Sequence, residues 1–152
     1  MKYLPLLVII FAAACTPVAK PADDGAAITE LLSTDKAFSE RSVAVGMNKA
    51  YIEYLDSNGV LLRPQQMPLL SADAVDYLIQ QNDKDFTLSW KAEKAVVASS
   101  GNLGYTYGYY AVQPSLADTS LYGTYVNIWK KQFDGSWKLV LNSGNSNIGS
   151  GN

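Results

Sequence analysis

Asp35 lies four residues after Leu31 and three before Phe38, so a carboxylate falls on, or at the edge of, the apolar stripe of a helix. Burial raises a carboxyl pKa, and a carboxylate in such a place can serve as a general base. The same position suits a helix-edge aspartate bonded to a neighbouring strand or to water. Tyr105, Tyr107 and Tyr109 alternate and therefore share one face of a strand, while Thr106, Gly108 and Tyr110 take the other. Further on, Tyr125, Asn127 and Trp129 share a strand face. Rows of rings and hydroxyls suit a pocket for an apolar ligand with a few polar groups. They equally suit plain core, or an interface of aromatic cross-strand pairs. Trp90, Trp129 and Trp137 fall in strand-like segments where packing is the ordinary use of the ring. Asn127 and Asn142 are strand amides able to point at a ligand, and Arg63 stands at a strand end, where it could clamp an anion or bond a loop carbonyl.

Other chemistry is excluded by composition. The 152 residues contain no histidine, which rules out Ser-His-Asp and Cys-His nucleophiles and histidine-ligated zinc or iron. Any acid–base group must be Asp, Glu, Lys or Tyr. With a net charge of -2 and only two arginines, Arg41 and Arg63, there is no basic stripe and no expectation of nucleic-acid binding. No nucleotide, flavin or metal signature is present, so no cofactor is expected. A hydrophobic content of 48% is enough for a core, and the length leaves room for one domain.

The elements that must position these residues read in order. Ile28, Leu31, Leu32, Phe38 and Val45 recur at helical spacing and predict an amphipathic helix over 26–46, ended by Gly46. A short second helix carries Tyr51, Ile52 and Leu55 and stops at Asn58-Gly59. Val60 to Arg63 reads as a strand and 64–70 as an irregular loop. Ser71 reads as the cap of a third helix that buries Val75, Leu78 and Ile79. The second half is rich in alternating Val, Leu and aromatic residues: strands over 86–99, 104–112, 122–133 and 136–142, with Ser100-Gly101-Asn102 as a turn and Asp134-Gly135 as a two-residue hairpin. Helices first and long antiparallel strands second make an α+β domain, with helices on one face of a sheet. Apolar residues on both strand faces leave the other face for a twofold partner, a homodimer.

At the N-terminus, Lys2 precedes the apolar run Leu6 to Ala14, which is about a dozen residues and too short to span a bilayer that needs roughly 20. Cys15, the single cysteine, follows Ala12-Ala13-Ala14. The arrangement resembles the lipobox of bacterial lipoproteins, with Ala12 where leucine is preferred. The resemblance implies a signal peptide at 1–14, a lipidated Cys15 as the membrane partner, and a tether over 15–25 that holds two prolines. Thr16 is not the aspartate that retains many such proteins at the inner membrane, which implies the outer membrane, facing the periplasm.

Ser100 to Gly108, Gly123 to Lys131 and Asp134 to Val140 resemble the nuclear transport factor 2-like (SnoaL-like, ketosteroid-isomerase-like) superfamily. So do Asp35-Lys36-Ala37-Phe38 and the turn Asp56 to Gly59. The branch resembled is one of secreted or lipid-anchored domains without settled function. The resemblance covers about residues 27–145 and implies a conical, cystatin-like domain over 26–145. Three helices pack on a curved antiparallel sheet that leaves a pocket at its open end, and 146–152 form a mobile tail. Such domains include isomerases, cyclases, binding subunits and scaffolds, so fold alone does not fix function. If the sheet is concave toward the first helix, the resemblance places Asp35, Phe38, Trp90, Tyr105, Tyr107, Tyr109, Tyr125, Asn127 and Asn142 around a ligand. The leading expectation is a non-catalytic pocket for a small, largely apolar molecule. A ketosteroid-isomerase-like enzyme, with Asp35 as base and Tyr107 as hydrogen-bond donor, is the alternative, and a dimeric structural module is the third. Related domains commonly carry a carboxylate near Asn142, and its amide weakens a catalytic case there.

Overall fold

The computed structural model describes residues 24–146. The signal peptide, Cys15, most of the tether and the tail after residue 146 lie outside the described residues. Helix α1 (Asp24–Val45) runs 22 residues, taking in the last two of the expected tether. Leu31, Asp35, Phe38, Ser39 and Ser42 are its buried positions, and their spacing follows one helical face. Two polar members of that face tie the helix to strand β3 (Phe86–Val97): Ser42 Oγ donates to the Leu88 carbonyl at 2.9 Å, and the Trp90 amide donates to Ser39 Oγ at 2.8 Å. Satisfying them internally removes most of the cost of burying hydroxyls.

Gly46 turns the chain directly into helix α2 (Met47–Tyr54), which buries Ala50 and Tyr51. Here the structure departs from the sequence reading. Leu55 opens strand β1 (Leu55–Leu61) rather than closing the helix, and Asn58-Gly59 lie within that strand. The turn residues form a bulge: Leu55 pairs with Leu139 and Val60 with Leu141, so extra residues loop out, with Asp56 Oδ1 accepting the Asn58 amide at 2.9 Å. Within 64–70, Leu69–Leu70 form a two-residue strand, β2, antiparallel to β1. Helix α3 (Ser71–Gln80) starts after Leu70. Ser71 does not cap it; it is the first helical residue, at φ 49°, and the N-cap position is Leu70, which has no side-chain cap hydrogen bond. Ala74 and Leu78 are the buried residues, while Ile79 is 66% exposed, because this short helix meets β1 and α2 along a single line.

Strands β3, β4 (Leu103–Pro114), β5 (Leu121–Lys131) and β6 (Trp137–Ser146) make an antiparallel meander. The loop around Asp134-Gly135 spans 132–136, wider than a two-residue hairpin, with Gly135 at φ 86° and Asp134 Oδ1 accepting the Ser136 amide. The sheet order is β2-β1-β6-β5-β4-β3, and β1 joins β6 in parallel, so the sheet is mixed at that edge rather than wholly antiparallel. The helices fill the concave side, where Leu31, Phe38, Leu78, Trp129, Trp137 and Leu139 form one core.

Candidate functional site

A cavity of about 260 Å³ opens at one end of the cone, beside the start of α2 and residues 62–64. It is near the small end of the usual ligand-pocket range of about 300–1,000 Å³. Tyr51, Tyr125, Asn127 and Asn142, all buried, form its base. Leu88, Trp90, Tyr110 and Val112 supply walls from β3 and β4, and Met47, Leu62, Arg63 and Phe86 complete the lining with Pro64, Gly144 and Ser146. The wall at Tyr110 depends on a missing side chain. A Cβ at Gly123 would lie 2.2 Å from Tyr110 Cζ, so only glycine lets that ring lie across β5.

Behind the base runs a chain of hydrogen bonds. Arg63 Nη1 donates to Asn142 Oδ1 at 2.7 Å, Asn142 Nδ2 donates to Asn127 Oδ1 at 2.7 Å, and Asn127 Nδ2 donates to Asp35 Oδ1 at 3.0 Å. Asp35 also accepts from Thr106 Oγ1 at 2.7 Å and from the Tyr125 hydroxyl at 2.8 Å, and Trp129 Nε1 donates to Thr106 Oγ1 at 2.9 Å. Burial pushes the Asp35 carboxyl pKa up, and the donors from Thr106, Asn127 and Tyr125 oppose that push. The Trp90 indole N–H also favours the charged form, without geometry good enough for a hydrogen bond. Burial and the neighbouring carboxylate push the Tyr125 hydroxyl far above its usual range, so it stays a donor.

The structure brings Trp90, Tyr125, Asn127 and Asn142 together in the lining, as the sequence reading expects. Asp35 and Phe38 sit one layer back. Asp35 is 1% exposed, and Phe38 is fully buried with its ring centroid 4.5 Å from that of Trp90. Tyr105, Tyr107 and Tyr109 are on the outer face, 40%, 44% and 53% exposed, and correct the expected placement around a ligand. Gly104, Thr106 and Gly108 turn inward instead. The reason is crowding by α1: a Cβ at Gly104 would come within 2.7 Å of Leu31 Cδ2, so the face with the small residues must be the one against the helix. Tyr107 and Asp35 therefore lie on opposite sides of the sheet and do not converge on one reacting atom. Arg63, read from the sequence as a possible anion clamp, is in the lining, and the lining residues that the sequence reading did not place are Tyr51 and Tyr110 together with the apolar walls. The signal for Tyr110 was present, since it continues the Thr106–Gly108 alternation.

This architecture is the conical cystatin-like, nuclear transport factor 2-like fold, with three helices on a six-stranded, mostly antiparallel, open sheet. Solved structures bear it out. A nuclear transport factor 2-like protein with a cystatin-like fold from Novosphingobium aromaticivorans superposes with a TM-score of 0.60 at 14% identity, covering 80% of this chain and 82% of its own. A ketosteroid isomerase-like protein from Erwinia carotovora atroseptica gives 0.57 at 13% identity, covering 77% and 96%. A cystatin-like protein of unknown function from Nostoc punctiforme gives 0.60 at 14% identity, covering 79% and 90%. No family model matches the sequence. No protein of curated function matches it either. At such identities the likeness is one of fold.

Proposed function

We propose that this chain is a lipid-anchored domain of the outer membrane, facing the periplasm, that holds a small, largely apolar molecule and does no chemistry on it. The open, ring-lined cavity of about 260 Å³ carries this reading. Support for the non-catalytic part comes from Asp35, which is 1% exposed and gives its lone pairs to three protein donors. A general base needs to reach its proton within about 3 Å, directly or through one water.

Quenching of tryptophan fluorescence by naphthalene-carboxamide, a flat and neutral probe, tests the cavity, because Trp90 lines it. Tyr110→Ala is expected to weaken binding about tenfold, the loss of an apolar wall worth roughly 1.5 kcal/mol. Tyr107→Ala, on the outer face, should leave binding unchanged. Equal effects of the two variants would refute the cavity as the site.

Anchoring rests on Cys15 and its flanks. Cys15→Ser should move the protein from the membrane to the soluble fraction and abolish acyl labelling; a variant that stays membrane-bound and labelled sinks the anchor. Tyr105 and Tyr107 lie directly across from Ile128 and Val126 on the outer face, an apolar surface suited to a second copy of the domain. Sedimentation of the Cys15→Ser chain at high micromolar concentration should show a dimer, and monomer alone counts against it.

A further inference from the structure

We infer that the ligand is a monoanion, a largely apolar molecule bearing one carboxylate, seated with that carboxylate on Arg63. This deepens the binding reading above and rests on it. Among the described residues Arg63 is the single charged side chain in the cavity lining, and it is half-buried. Among the described residues it makes no ion pair: the three salt bridges there join Lys36 to Glu40, Arg41 to Glu53 and Lys131 to Glu30. A half-buried cation facing an apolar cavity without a counter-charge is costly, and an anion in the cavity would remove that cost.

The guanidinium is fixed on one side only. Both hydrogens of Nη1 are used, donating to the Leu62 carbonyl at 3.0 Å and to Asn142 Oδ1 at 2.7 Å. Nε and Nη2 have no protein acceptor among the described residues. Those two nitrogens are the parallel fork that matches a carboxylate. Arg41, the other arginine of the chain, shows the match: its Nε and Nη2 hold the two carboxylate oxygens of Glu53 at 2.6 and 2.8 Å.

The fork is also held in place. Asn142 is itself held by Asn127, and Asn127 by Asp35, so the head group is braced from the core rather than left to drift into solvent. The guanidinium carbon sits 5.7 Å from the Tyr51 ring centroid. Its charge also bears on Tyr51 and Tyr110, favouring their ionised forms against the upward push of burial on both hydroxyls. Asp35 does not cancel the cation directly, because its oxygens are taken by Thr106, Tyr125 and Asn127. One arginine with no lysine beside it in the lining suits a single negative charge. A phosphate dianion would bring a second charge into apolar walls with nothing to meet it.

The test titrates the full chain with naphthalene-carboxylate and with naphthalene-carboxamide, which share a ring system and differ in charge. The wild type should prefer the carboxylate by about tenfold or more, a preference that weakens with added salt. In Arg63→Gln the ratio of carboxylate to carboxamide affinity should fall to about one, with the melting temperature read alongside. Equal affinities in the wild type overturn the inference and leave the cavity reading standing, and this comparison needs no variant. A preference that survives Arg63→Gln also overturns it. If neither probe binds, the cavity reading falls and the inference with it.

Discussion

Asp35→Asn is expected to lower the stability of the domain by about 3 kcal/mol in urea unfolding at neutral pH. Thr106 Oγ1, the Tyr125 hydroxyl and Asn127 Nδ2 all aim hydrogens at the carboxylate. An amide of the same shape replaces one acceptor oxygen by a group with two hydrogens of its own. With the amide nitrogen on the Oδ2 side the buried Tyr125 hydroxyl loses its acceptor, and on the Oδ1 side both Thr106 and Asn127 do, at about 1–3 kcal/mol for each donor left unpaired. Thr106 has little freedom to turn its hydroxyl away, since Trp129 Nε1 already donates to it. A loss under about 1 kcal/mol would show that the network is not what holds these strands to α1. The pH dependence gives a separate check. Because burial raises the folded pKa of Asp35, the native state keeps its proton to a higher pH than the unfolded chain. The part of the stability that comes from this raised pKa is therefore present in full below the ordinary aspartate range and is lost as pH rises through the folded pKa, while the hydrogen bonds that Asp35→Asn breaks remain at neutral pH. The stability advantage of wild type over Asp35→Asn should shrink with rising pH across that window. An advantage that grows there instead would mean that the three donors outweigh burial.

Phe38→Ala should cost more, about 3–5 kcal/mol, out of a stability that for such a domain is typically about 5–15 kcal/mol. The ring is fully buried and meets four others: Tyr51, Tyr54, Trp90 and Trp129, at centroid distances of 4.8, 4.6, 4.5 and 5.9 Å. Two of those neighbours, Tyr51 and Trp90, line the cavity. The vacancy left by the ring would let both lean inward, so the variant should lose ligand affinity along with stability. A melting temperature close to that of the wild type would place the weight of the core elsewhere.

The positions of these two residues were legible in the sequence. Leu31, Asp35 and Phe38 fall on one helical face by spacing alone, because the period of a helix is local geometry. The four long strands were legible for the same reason, since alternation and turn residues act over a few positions. What misled was a local signal with a non-local use. Asn58-Gly59 reads as a stop, yet it forms a bulge inside β1 because Leu55 and Val60 are both drawn to β6. Ser71 reads as a cap, but β2 hands the chain to α3 at Leu70.

The sequence by itself determined that Tyr105, Tyr107 and Tyr109 share a face, because strand pleating has period two. Which face that would be was decided by tertiary structure: Leu31 of α1 presses on Gly104, Asp35 of α1 takes the Thr106 hydroxyl, and the β3 backbone at Lys91 leaves no room for a side chain at Gly108. The same division holds for the site. Each of Arg63, Asn127, Asn142 and Asp35 was visible as a polar residue in an apolar setting, but Arg63 joins their chain of hydrogen bonds only because β1 lies parallel to β6. That pairing sets Arg63 beside Asn142, 79 residues away along the chain. Residues that far apart share no local period, so their contact is fixed by which strands pair in the sheet.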